Sequence, residues 1–447
     1  MSEEAPGRKL TLLDATLMVM GGIIGVGIFF NPHKIAERVP VPGLYLALWV
    51  FGGVVAIAAG FTFAEWGSAL PSAGGWFVYL RAAFGRFAAF LFAWVVLFVQ
   101  STGAIASIAK FCATRLHVLF PERVGAGDSP SATVAAAVLV ALVTAVALTG
   151  VKRAALVQNA CMITKLLVIA ALMIGGLVFA SSEVAPVPPA TEAAAPSFSW
   201  SGLTLALLPL FYTLGGWQLL GYIAPEIRDP ARTLPRAILW GVAGVVLVYL
   251  TVNASYLSVL GIDGLARDAD FARTLSQRAF GPLGEKVLAA GMCISAFGIC
   301  AVNIITTPWL YVAMAREGLF FASIGRLDPR TGVPQRALLL QAVITCVYLL
   351  GTLGFLVDSV VFVEWVFHGL AALGLMLFLR REPARERPFR SPLYPLAPVL
   401  YLATAALVVG GTLYTANAQV KVTGLAVLTA GALAYRPWRA LVERAGG

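Results

Sequence analysis

Two stretches of this chain set residue types that can do chemistry inside long apolar runs. In "GGIIGVGIFF" (21–30), Gly21, Gly22, Gly25 and Gly27 interrupt the first run. In "LLPLFYTLGGWQLLGYIAPEIRDP" (207–230), Gly215, Gly216 and Gly221 interrupt another, which has proline near both ends. Glycine is among the costliest residues in a helix interior. A helix broken within lipid frees backbone N–H and C=O groups that only a lined cavity can tolerate. There the freed groups become ligands. N–H groups at a half-helix N-terminus suit a carboxylate, and carbonyls at a half-helix C-terminus suit an ammonium. Two facing breaks would form a receptor for a zwitterion, and an α-amino acid is the obvious match. Gly21 and Gly25 also form a GxxxG pair, a spacing used for close helix packing. The matching irregularity in the second stretch favours the substrate site.

The elements that must hold such breaks are membrane helices. Of 447 residues, 59% are apolar and 12% charged, against about 25% charged in soluble domains. Apolar runs long enough to span a hydrocarbon core cover 11–31, 42–69, 87–119, 131–150, 154–180, 202–226, 236–260, 284–314, 336–356, 358–380, 393–415 and 420–436. Twelve transmembrane helices are therefore expected. The first run follows a leader containing acids and lacks a small-residue cleavage pattern, so it reads as a span and not a signal peptide. With the N-terminus inside, 21 of the 32 Lys and Arg residues fall in inner loops and tails and nine in outer ones, the bias of the positive-inside rule. The net charge of +10 thus reports topology, with both termini cytoplasmic, and no nucleic-acid partner. A Pro/Ala-rich outer linker (181–200) separates two blocks of five spans. The division expected is 1–180 (tail and spans one to five), 181–200 (linker), 201–380 (spans six to ten) and 381–447 (spans eleven and twelve with the C-terminus). Interrupted helices opening two inverted halves point to the binding site of a secondary transporter.

Several stretches then carry a resemblance. "GGIIGVGIF", "FAEWGSALPSAGG" (63–75), "GGWQLLGYIAPEIRDPARTLPRAI" (215–238) and "AREG" (315–318) followed by "TGVPQRAL" are similar, in order and spacing, to the amino acid–polyamine–organocation superfamily. Within it they resemble the L-type amino acid transporter family. The resemblance implies an all-α membrane protein with a LeuT-like 5+5 inverted repeat and broken helices 1 and 6. It implies that backbone amides at Val26 and Gly27, with Gly25 permitting close approach, hold a substrate carboxylate. Carbonyls at Ile23, Tyr212 and Gly215 would hold the ammonium. Position 212 acts as an aromatic gate in relatives; phenylalanine is more usual there, and a tyrosine adds a hydroxyl. Val26 stands where relatives often carry a small polar residue.

Lys165, in "CMITKLLVIAAL", lies about 13 residues beyond Lys152–Arg153. At roughly 1.5 Å per residue that is too deep to snorkel easily, and a mid-span lysine costs at least a few kcal/mol. The resemblance puts it where sodium-coupled relatives bind their ion, bridging breaks of helices 1 and 8, so its ammonium would replace Na⁺. A buried lysine is equally a candidate proton carrier. Glu65, near the inner end of the second span, is read as a gate residue or a solvated helix end. Asp14 is read as a helix cap or an inner-gate residue. Gln218 stands where many relatives have asparagine, within a hydrogen-bond network at the break. Glu364 departs from the family, where a neutral polar residue is common. It is open to binding a cationic substrate, pairing with His368 at i+4, carrying a proton or facing the outer vestibule.

Other chemistries find no support in the sequence. The five cysteines all fall in spans and three scattered histidines form no metal cluster. No cofactor, metal site, nucleophile motif or enzyme activity is expected. The outer loop "HVLFPERVGAGDSPS" lacks the cysteine through which animal relatives join an accessory glycoprotein, so no disulfide-linked partner is expected. The reading is a plasma-membrane, sodium-independent exchanger of neutral L-amino acids working by alternating access. Proton-coupled symport and a cationic amino acid or polyamine carrier are the alternatives, and a channel is disfavoured for want of a continuous polar stripe.

Overall fold

The computed structural model describes residues 9–179, 199–351, 356–416 and 418–446. Among them every regular element is helical, apart from one isolated parallel bridge between Leu10 and Ile227. Ten helices are long and apolar enough to cross a membrane, and two shorter apolar helices, Leu12–Ile23 and Gln335–Leu349, accompany them. These two match the expected first and ninth spans. The first falls short because its helix breaks. The linker 181–198 lies outside the described residues.

In chain order, α1 (Leu12–Ile23) and α2 (Asn31–Arg38) make the first span, α3 (Pro42–Ala69) the second, and α4 (Trp76–Phe84) a connecting helix. Next, α5 (Arg86–Val95) and α6 (Ser101–Leu119) are joined by a π-helical turn, Val96–Gln100. Then come α7 (Pro130–Leu148), α8 (Val151–Phe179) and α9 (Trp200–Leu214), the last continued by a 3-10 segment, Trp217–Glu226. The remainder is α10 (Pro230–Arg267), α11 (Phe271–Thr306), α12 (Pro308–Arg316), α13 (Gln335–Leu349), α14 (Leu356–Arg381), α15 (Leu396–Thr415) and α16 (Ala418–Gly446). α1 packs against α8, α10 and α11, so the broken first span is enclosed by other helices. That enclosure is what its exposed backbone groups require.

Both expected breaks are present. α1 starts on a capping box in which Thr11 and Asp14 satisfy each other's backbone, as that residue pair favours. It stops at Ile23, Ile24 turns extended, and the chain resumes as a 3-10 turn, Gly27–Phe29, before α2. α9 stops at Leu214; Gly215 is extended and Gly216 is left-handed at φ +117°. The two breaks touch. A Cβ on Gly216 would stand 2.2 Å from the carbonyl oxygen of Gly22, so both dihedral and contact demand glycine. The "SAGG" loop has a similar reason. Gly75 sits at φ +39° with its Cα side against the backbone of Gly221, and the Gly74 N–H donates to the Tyr222 carbonyl at 3.0 Å.

The structure departs from the expected span bounds in one place and adds a detail at Glu65. The expected seventh and eighth spans, 236–260 and 284–314, are extended where they face each other in sequence, α10 running on to Arg267 and α11 starting at Phe271. Their additions are polar segments set off by Gly261 (φ 67°) and Gly281 (φ 64°), which have no apolar run to announce them. Glu65, read as a gate residue or a solvated helix end, is buried and ion-paired with Arg387, and accepts from the Ser391 N–H at 3.4 Å.

Replacing Gly216 by alanine is expected to lower the melting temperature of the detergent-solubilised protein and abolish transport, because the new methyl must displace backbone. Gly43, whose Cβ would meet nothing within 4 Å, supplies the control. Equal melting temperatures for Gly216→Ala and Gly43→Ala would show that the breaks do not meet this closely.

Candidate functional site

A cavity of about 90 Å³ lies where the two breaks face each other. Ile23, Gly25, Val26 and Gly27 line it from the first break, and Tyr212 and Gly215 from the second. The amides of Val26 and Gly27 donate to no acceptor among the described residues. Opposite them, the carbonyls of Tyr212, Thr213, Leu214 and Gly215 accept from no donor among the described residues. Donors and acceptors of opposite polarity therefore border one small space inside a membrane protein. Phe211 and Trp365 close part of the wall, ring to ring at 4.4 Å.

The three carbonyls of the first break are used differently. Ile23 accepts from the Tyr249 hydroxyl at 3.0 Å, Ile24 from Lys165 Nζ at 2.5 Å and Gly25 from Ser295 Oγ at 3.3 Å. Each donor comes from a different helix, α10, α8 and α11. The break is thus held open by three tertiary bonds in place of its lost helical ones. Ile23, expected to hold an ammonium together with Tyr212 and Gly215, is already bonded to Tyr249 and keeps one lone pair for a further donor.

Lys165 is fully buried. Besides Ile24, its ammonium faces α11 at Gly298, where a Cβ would stand 3.5 Å from Nζ. No carboxylate pairs with it among the described residues. The expectation that Lys165 bridges breaks of helices 1 and 8 is met by a break only in the first: α11, the eighth span, is continuous at this level, its one internal departure from helical dihedrals being at Gly281. Lys165 therefore spans the break of α1 and an intact helix.

On another wall, Glu364 Oε1 accepts from Gln100 Nε2 at 2.5 Å and from Gln218 Nε2 at 3.0 Å. Gln218 in turn accepts the Gly216 N–H at 3.1 Å through its own carbonyl oxygen, so the carboxylate is tied to the second break. His368 Nε2 lies 3.6 Å from Glu364; its Nδ1 meets the Tyr401 hydroxyl. Trp76 and Trp365 pack about the imidazole. Glu65 does not line the cavity and belongs to the ties between α3 and the segment after α14. Asp14 does two jobs, capping α1 and pairing with Lys152, while Asn159 donates to it at 3.0 Å.

Sequence reasoning did not single out Gln100, Tyr249 or Ser295. Gln100 carried a usable signal, a lone amide at the centre of a long apolar run in "LFVQST". Its aim follows from the π-helical turn ending on it, which rotates the following helix. Tyr249 and Ser295 are ordinary residue types whose role exists only in tertiary contact. Among the described residues no three His, Cys, Asp or Glu side chains gather into a metal site.

The comparisons with known proteins accord with this geometry. The family model described as amino acid permease matches residues 10–433. The chain is 27% identical to the serine/threonine exchanger SteT of Bacillus subtilis (strain 168), over 91% of this chain and 92% of that protein. It is 30% identical to the b(0,+)-type amino acid transporter 1 of Homo sapiens, over 88% and 80%. It is 28% identical to the human large neutral amino acids transporter small subunit 2, over 96% and 80%. With a family match across nearly its whole length and transporters as relatives, the protein is a multi-pass membrane transporter and not an enzyme. The chain belongs to the amino acid permease family of the amino acid–polyamine–organocation superfamily.

Proposed function

We propose that the protein exchanges L-amino acids, neutral ones foremost, across a plasma membrane by alternating access and without sodium. One observation carries the reading. The unpartnered amides of Val26 and Gly27 and the unpartnered carbonyls of Tyr212 and Gly215 border one cavity, the complement of an α-carboxylate and an α-ammonium. Such backbone groups are indifferent to the substrate's side chain, so they define amino acids as a class. The fixed ammonium of Lys165 against the Ile24 carbonyl supports sodium independence, since it already supplies a cation at the break. SteT is by name an exchanger, which supports exchange over net uptake. No cysteine lies between His117 and Ser131, which supports action without a disulfide-linked partner.

Labelled amino acid uptake into proteoliposomes tests this. Uptake is expected to need internal amino acid and to ignore sodium. Uptake into empty vesicles driven by an inward proton gradient would instead establish proton-coupled symport, and a sodium requirement would remove the role given to Lys165. A hydrogen bond to a charged group contributes about 1.5–3 kcal/mol, so Lys165→Ala is expected to slow counterflow by at least tenfold. Counterflow at the wild-type rate would refute that role.

Backbone recognition makes a second prediction. Val26→Ser keeps its N–H and retains measurable exchange. Gly27→Pro loses its N–H and adds atoms where a Cβ already meets Thr213 Oγ1 at 3.0 Å, so exchange is abolished. Comparable loss in both variants, with both proteins monodisperse in detergent, would place recognition in side chains instead.

A further inference from the structure

Beyond the backbone groups, the cavity holds one carboxylate whose geometry is only half used. Both contacts from Gln100 and Gln218 fall on Glu364 Oε1. Oε2 accepts from no described residue, and no Lys or Arg pairs with the group among them. The side chain keeps 18% of its surface exposed and lines the cavity. A carboxylate in this setting is costly unless its acceptor sites are filled. Two carboxamides on two other elements, the π-helical turn before α6 and the 3-10 segment after α9, fix its direction. Each spends an N–H on the same oxygen, and Gln218 is itself anchored by the Gly216 N–H. The other oxygen is left as an oriented acceptor beside the substrate space. The nearby His368 ring is held on its far side by Tyr401 and, at 3.6 Å from Oε1, engages the oxygen that is already occupied.

We infer that Glu364 Oε2 is a subsite for the substrate's side chain, selecting amino acids whose side chain donates a hydrogen bond. The donor can be the hydroxyl of a neutral amino acid or the ammonium of a cationic one. The inference rests on the amino acid reading above and narrows it. Apolar side chains of equal size leave the acceptor unfilled, and a site built around a buried polar group discriminates strongly against the analogue lacking the matching group. Gln218 and Gln100 are positioning residues, acting through Glu364.

The test is competition against counterflow in proteoliposomes of the full-length protein. Half-inhibiting concentrations are measured for serine against alanine, threonine against valine, and lysine against norleucine. At least about a tenfold preference for the donor-bearing member is expected in one or more pairs. Preference in the first two pairs identifies a hydroxyl donor, and preference in the third identifies a cation. In Glu364→Gln the open oxygen is replaced by an amide that donates, and the preference is expected to fall to within about threefold. The ratio within each protein is unaffected by how much of it folds. Ratios near one in all three wild-type pairs overturn the inference even if the variant cannot be produced, as does a preference that survives in Glu364→Gln. Absence of counterflow with every amino acid overturns the exchanger reading itself, and the inference with it.

Discussion

The arrangement depends on one constraint: a backbone group inside a membrane must find a partner within the protein. Breaking α1 at Ile23 and α9 at Leu214 violates that constraint at two facing points, and the neighbouring helices respond to it. Tyr249, Lys165 and Ser295 each give a donor to one of three successive carbonyls. Gln218 gives its carbonyl to the Gly216 amide. What is left over is not random. Amides remain on one side and carbonyls on the other, around one small cavity. Rigid satisfaction of some groups orients the others, and on the proposed reading this turns a short broken segment into a receptor.

Charge is handled the same way. Lys165 sits behind the break, against a carbonyl and an intact face of α11, with no carboxylate beside it among the described residues. Glu364 sits on the cavity wall, held by two neutral amides and no Lys or Arg. The two opposite charges do not neutralise each other directly. Glu364 keeps one carboxylate oxygen open on the cavity wall, whereas Lys165 is buried behind the break and does not line the cavity. A direct ion pair would bind the charges to each other and leave little for a substrate.

Much of this was legible in the sequence because it rests on local signals. Glycine clusters in apolar runs marked both breaks to within a residue or two, and hydropathy marked the long spans. The six backbone positions from Ile23 to Gly215 all border the same cavity. What stayed hidden was tertiary or irregular. Nothing near Glu65 announces Arg387, which meets it from 322 residues away. The extensions of α10 and α11 are set off by Gly261 and Gly281, in polar sequence that reads as loop. A π-helical turn leaves no pattern of its own, so the aim of Gln100 could not be read even though its burial among apolar residues could.

The kinds of bond used in different parts of the bundle bear on the alternating access proposed above, which would require two arrangements of similar free energy. At the end where α1 begins, the ties are charged pairs and single backbone bonds: Asp14 with Lys152, Glu65 with Arg387, Leu10 with Glu226 and Arg228. Contacts of this kind can be traded for water at modest net cost when the end opens. Around the cavity the surroundings are packed aromatic rings, such as Trp76, Trp365 and Tyr401 about His368, whose contacts water cannot replace. An opening that separates the ties while keeping the packed centre intact is therefore the low-cost motion. It would carry the site from one side to the other with its recognition groups undisturbed.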